Sequence, residues 1–159
     1  MRGWFHDQAR ILEKSSNAAG FVILLIVLTY VEGHAIFYKG EDSKGNSKTF
    51  FREAFKAIFT VQSDDPNQVD PAIDELYDQM RNGLFHTGMI RGKVVLSGDF
   101  RDPVSMHFDP ASKQVALIQV NPHKMLDGVE DHLAHYVMRL RNPEEVQLRG
   151  NFEKAWELR

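Results

Sequence analysis

AAGFVILLIVLTYV, from Ala18 to Val31, is the most apolar run in the chain, and it stops against Glu32, Gly33 and His34. Its 14 residues fall short of the roughly 20 that a bilayer-spanning helix needs. The reading that follows is a central, fully buried helix around which a small protein packs. Beyond Glu32 the helix continues to Lys39 and stops at Gly40, a residue suited to the left-handed position after a helix end. Upstream, Ser15-Ser16-Asn17 separates it from an amphipathic segment, Gly3 to Lys14, with Trp4, Phe5, Ile11 and Leu12 as its apolar members. The same three polar residues are placed to cap the central helix.

Outward from this column the punctuation is mostly helical. A polar loop, Glu41 to Asn46, leads to Ser47, the expected cap of a third helix with Phe51, Ala54, Phe55, Ile58 and Phe59 on one face. After a polar linker, Ser63 to Gln68, Asp70-Pro71 reads as N-cap and first helical residue. The fourth helix carries Ile73, Leu76, Tyr77 and Met80, and Asn82-Gly83 is the expected breaker at its end. Then the period changes from 3.6 to 2. Lys93 to Ser97 reads as a strand, Val104, Met106 and Phe108 alternate with polar residues, and a turn at Asp109 to Lys113 returns the chain through Gln114 to Val120. Two last helices open at Asn121-Pro122 and Asn142-Pro143, the second followed by Glu144-Glu145, which suits a helix N-terminus. The expected fold is mainly α, one domain over residues 1–159, with a small β-hairpin or sheet inserted near residues 93–120.

Composition narrows the function classes. A chain of 159 residues without cysteine has no disulfide, no thiolate nucleophile and no Cys-based zinc site, and it suits a reducing cytoplasm. Its start, Met1 to Asp7, lacks the pattern of a signal peptide. A net charge of -3 argues against broad, non-specific nucleic-acid binding, which calls for a basic surface. Any nucleic-acid role must rest on a local site. No membrane partner is expected.

The segment Arg81-Asn82-Gly83-Leu84-Phe85-His86 has the chemistry for one. An imidazole titrates near neutrality and exchanges protons with a ribose 2′-hydroxyl or a leaving oxygen. A guanidinium stays charged and forks two N–H donors onto phosphate oxygens. Spacing alone is weak: with ten Arg and seven His, chance yields about 1.3 Arg-x(4–6)-His matches. A second match, Arg101 to His107, contains Pro103 and falls in the strand pattern, so it reads as accidental. In an unbroken helix Arg81 and His86 lie about 140° apart; the expected break at Asn82-Gly83 would swing His86 back. The plainer alternative makes Arg81 a last-turn cation and His86 a loop residue.

The stretch YDQMRNGLFHTGMIRGKVVL, Tyr77 to Leu96, resembles the HEPN superfamily of small helical nucleases and nucleotide-binding domains, and more closely a bacterial HEPN-like family with an Arg-x-Gly-Leu-Phe-His core ahead of a strand. The resemblance extends loosely to Glu32 through Tyr38 with Gly40 to Asp42, to Asn121 through His123, and to Arg139 through Pro143. It implies a helical bundle, an Arg and a His from each of two protomers facing a shared cleft, and metal-independent RNA cleavage in active members, often in toxin–antitoxin, phage-defence or stress systems. Arg81 and His86 match the motif and Asn82 its polar position. A homodimer, RNA and an antitoxin or other partner protein are the implied partners, and no cofactor or metal is implied. Many superfamily members have lost activity, which leaves a non-catalytic module binding RNA, nucleotide or protein as the alternative.

Three supporting residues complete the candidate set. Glu32, at the end of the apolar run, either orients Arg81 or His86, or sits at the wet end of its helix and pairs with Lys39 or with nothing. Tyr38 and Lys39 are more distant candidates for phosphate contacts. His132 and His135 read as a solvated helix face rather than a metal site, since no third ligand is near in sequence. From Arg81 to Arg101 four bases stand against Asp99, a local strip able to attract anions.

Overall fold

A computed structural model of the chain describes residues 6–16 and 19–158. Trp4, Phe5, Asn17 and Ala18 lie outside the described residues, and with them the start of the expected first helix and part of the expected cap of the central one. The described part is mainly helical with one small sheet.

The central helix, α2, spans Gly20–Lys39 and ends at Gly40, whose φ of 69° places it in the left-handed region. Its face toward the core buries Ile23, Leu24, Val27, Leu28 and Val31 completely, each such side chain contributing about 1.5–3 kcal/mol. It is not buried all round, as the sequence led one to expect. Phe21 and Val22 remain 43% and 45% exposed. By length and composition α2 is sufficient to cross a membrane, and half of its most apolar window is buried inside the protein. The helices packed on it include α1 (Asp7–Ser15), α3 (Ser47–Ile58), α6 (Pro122–Arg141) and α7 (Val146–Glu157).

Three expected helix starts move. Ser47 is the first residue of α3 rather than its cap, because its hydroxyl donates back to the Ser43 carbonyl at 3.2 Å. The cap-and-proline pair of the fourth helix is Asp65-Pro66, not Asp70-Pro71. The Asp65 carboxylate accepts the Asn67 N–H at 3.1 Å and starts a 3₁₀ turn, Pro66–Gln68, that runs into α4, Val69–Leu76. At the far end, the Asn142 side chain accepts the Glu144 N–H at 3.1 Å and holds a turn, so α7 begins only at Val146.

The expected β insertion is present and larger than expected. Strands β2 (Val94–Leu96), β3 (Val104–Phe108) and β4 (Val115–Val120) join β1, Gln62–Ser63, from the linker after α3. The order is β1-β3-β4-β2. β3 and β4 form the antiparallel hairpin, while β1 on β3 and β2 on β4 are parallel. Val104, Met106, Ile118 and Val120 point from the sheet into the same core as α2 and α3. Asn121 joins sheet to helix: its Oδ1 accepts the N–H groups of His123 and Lys124, and its Nδ2 donates to the carbonyls of Gly98 and Phe100 at 2.9 and 2.7 Å.

Candidate active site

The segment carrying Arg81 and His86 does not break where the dipeptide Asn82-Gly83 suggested. α4 passes into a π-helical turn, Tyr77–Arg81, and then into α5, Asn82–Thr87. The chain turns only at Gly88, with φ of 67°. Gly83 is buried inside α5, and a Cβ on it would strike the carbonyl oxygen of Met89. Its smallness admits the returning chain; it does not supply a turn.

Arg81 is fixed from several sides. Its Nε donates to Glu32 Oε1, its Nη2 to Glu32 Oε2 at 3.0 Å, and its Nη1 to Asn82 Oδ1 at 3.0 Å. The guanidinium lies over the rings of Phe85 and Tyr77, 4.8 and 5.4 Å from their centroids. The hydrogen bond to the Glu32 carboxylate holds the guanidinium above its ordinary pKa. Five N–H donors less these three leave two for a ligand. Of the two readings of Glu32, orientation of Arg81 is the one the geometry adopts, since Lys39 pairs instead with Glu53 on α3.

His86 sits on exposed surface of α5, and no hydrogen bond, ion pair or ring contact joins it to Arg81. The backbone between them is helical, so they stand about 140° apart and ~7.5 Å along the axis. The expectation that a kink gathers both around one phosphodiester fails within a single protomer, because the π-turn ends at Arg81 and the residues from Asn82 to His86 are α-helical. Asn82 is where the sequence placed it, beside Arg81, and its Nδ2 reaches Asp78 at 3.5 Å. Tyr38 and Lys39 do not join this group. Lys39 lies over the Phe50 ring at 4.4 Å, and both residues line a separate cavity between α2, α3 and α6.

Three residues at or near the site escaped the sequence reading. Lys48 of α3 pairs with Asp78 at 2.7 Å and lies near the Tyr77 ring, which extends the polar chain Glu32–Arg81–Asn82–Asp78. Phe85, 44% exposed, puts apolar surface beside the guanidinium, and Met89, 61% exposed, follows α5. The helical stripe gave a signal for Phe85, whereas nothing in spacing points from Lys48 to a residue 30 positions away. The basic strip is only partly available: the Lys93 ammonium donates to the Val115 carbonyl. His107 of the second Arg–His spacing lies on β3 and faces Gln119 at 3.4 Å.

His132 is not solvated as expected. Its Nδ1 and the Tyr30 hydroxyl are 2.8 Å apart, and its ring stands edge-on to His34, 4.3 Å between centroids. His135, three residues on, is exposed. Among the described residues no group of three His, Asp or Glu side chains converges to hold a metal ion.

No family model, curated protein or solved structure matches the chain at a significant level.

Proposed function

We propose that the chain is a HEPN-type endoribonuclease of the cytoplasm, acting as a homodimer and without a metal ion. The single observation that supports it best is the bracing of Arg81 by Glu32 and Asn82, with two N–H donors left over and an exposed imidazole, His86, one and a half turns further along the same helix. In this reading Arg81 binds the scissile phosphate and stabilises charge on its oxygens as it is attacked. His86, supplied across a two-fold axis, takes the 2′-hydroxyl proton or returns one to the 5′-oxygen. The 2′-oxygen forms a bond to phosphorus and the 5′-oxygen leaves, giving a 2′,3′-cyclic phosphate and a 5′-hydroxyl. Asn82 and Glu32 position Arg81. An antitoxin-like partner protein covering this face would keep the enzyme silent in toxin or phage-defence settings.

The test is RNA incubated in EDTA with the wild-type chain and with Arg81→Ala and His86→Ala. Cleavage by the wild type alone, with cyclic phosphate ends, supports the reading. Equal cleavage by all three, or by none, overturns it. One observation favours a second reading, a non-catalytic module that binds RNA, nucleotide or protein at the same surface: three of the five Arg81 donors are already engaged within the protomer. Its signature is RNA affinity that falls with Arg81→Ala while no product forms.

A further inference from the structure

α2, α3 and α6 line a half-open cavity of about 230 Å³, separate from the Arg81 group. Small residues are part of its lining: Ala35 from α2, Ala54 and Ala57 from α3. Rings make its walls, with His34 and Tyr38 5.5 Å apart and His34 and His132 4.3 Å apart between centroids. Lys39 and Arg139 also line it, against the one carboxylate of Glu53, so the lining carries one positive charge in excess.

One lining residue, His34, carries a polar atom that the fold itself leaves without a partner. His34 is 6% exposed, and its buried Nδ1 has no hydrogen-bond partner. The hydroxyl of Tyr136, whose ring centroid is 4.9 Å from that of His34, is buried and unpartnered too. Tyr136 does not line the cavity, but His34 does, and since buried polar groups are normally satisfied its orphan marks a place where something else binds. His132 uses Nδ1 on Tyr30, which leaves its Nε2 available. Burial keeps both imidazoles neutral, so the site's charge comes from the lysine and the arginine.

These features specify a ligand. A dry cavity of about 150 Å³ takes one benzene, so the larger volume here has room for one ring and one small oxyanion. Arg139 bonds the Glu145 carboxylate through Nε and Nη2 and bonds the Tyr38 side chain as well; two of its five N–H donors remain, and charge-assisted bonds from a guanidinium suit a carboxylate. Lys39, paired with Glu53, keeps two of its three donors. We propose that this cavity binds a small aromatic carboxylate, its ring against Tyr38, His34 and His132 and its oxygens on Lys39 and Arg139. The site does not depend on the ribonuclease reading.

The experiment titrates the full chain with benzoate, by calorimetry and by NMR of the histidine side chains. Benzyl alcohol, acetate and phenyl phosphate serve as comparison probes, and Ala57→Phe and Arg139→Gln as variants whose folding is checked by circular dichroism. Benzoate is expected to bind and to shift the His34 and His132 signals, with benzyl alcohol and acetate at least about tenfold weaker. Arg139→Gln should weaken benzoate about tenfold, some 1.4 kcal/mol. Ala57→Phe, at the exposed edge of the lining and large enough to fill it, should abolish binding. Absence of benzoate binding at millimolar concentration overturns the proposal. So do equal affinities across the probes, insensitivity to both variants, or phenyl phosphate binding more tightly than benzoate.

Discussion

Glu32 on α2 and Arg81 at the end of the π-helical turn, 49 residues apart in the chain, are joined side-on through both carboxylate oxygens. The side chains are only 24% and 20% exposed, so this pair lies between a surface bridge worth at most about 1 kcal/mol and a buried one whose breakage costs 3–5 kcal/mol. It fixes the guanidinium before any ligand arrives.

Removing the carboxylate alone leaves a half-buried cation unpaired. Glu32→Ala is therefore expected to lose about 1–3 kcal/mol of stability in urea unfolding. The double variant Glu32→Ala/Arg81→Ala should lose less than the sum of the singles, with a coupling of about 1 kcal/mol or more. Strict additivity would mean that the pair does not hold the turn.

The path of α5 makes a second prediction. A methyl on Gly83 meets the Met89 carbonyl, whereas one on Gly88 meets nothing within 4 Å. Gly88, however, has a left-handed φ of 67°, which disfavours alanine by about 1 kcal/mol. Gly83→Ala should cost about 2 kcal/mol or more, through a forced shift of the returning chain, and Gly88→Ala about half that. Thermal melts of the two variants check the order.

This contrast also explains what the sequence shows and what it hides. Alternation at Val104, Met106 and Phe108 announced β3, Asn121-Pro122 announced α6, and Gly40 announced the end of α2, because each signal is local: a pleat, a cap, a left-handed residue. Gly83 misled because glycine answers two needs, a turn and a close approach, and only the position of Met89 tells them apart. Asp70-Pro71 misled because an equivalent pair, Asp65-Pro66, stands five residues earlier and bonds first. Arg81, Asn82 and Glu32 were found together, since a carboxylate ending an apolar run needs a partner. The environment of His132 was not legible, because the stripe on its own helix says nothing of His34 on the helix opposite. The same holds for β1 and Lys48, whose neighbours are distant in sequence.

Asn121 is 1% exposed and serves helix and loop together. Asn121→Ala removes the α6 cap, worth about 1 kcal/mol, and leaves the carbonyls of Gly98 and Phe100 without their donor. A loss of about 2–3 kcal/mol is expected. Asn121→Asp keeps the acceptor for His123 and Lys124 and loses only the donor, so it should fall between. Hydrogen exchange gives the local readout: in Asn121→Asp the first amides of α6 should stay protected.

His34 makes stability pH-dependent with a definite sign. Burial, and secondarily the neighbouring His132, lower its pKa from 6.5 to about 3. Between those values the unfolded chain binds a proton that the folded chain refuses, so acidification favours unfolding. The stabilising difference is complete above pH 6.5, is lost progressively as the pH falls toward 3, and changes no further below that. Each pH unit within the window is worth about 1.4 kcal/mol, or some 2–3 kcal/mol between pH 7 and 4.5. His6 and His132, also lowered chiefly by burial, act in the same direction. The groups facing His34 are the rings of Tyr30, Tyr38, Tyr136 and His132, none of which offers an anion to offset a new imidazolium. Lys39, Glu53 and Arg139 at the cavity add one net positive charge, which opposes protonation further. Carboxylates elsewhere titrate in the same range, so the measurement is a comparison: urea midpoints at pH 7 and 4.5 for the wild type and for His34→Phe, which keeps a ring and cannot titrate. The variant should show the smaller acid loss, and identical losses in both proteins would show that His34 takes up its proton without opening the α2–α6 contact.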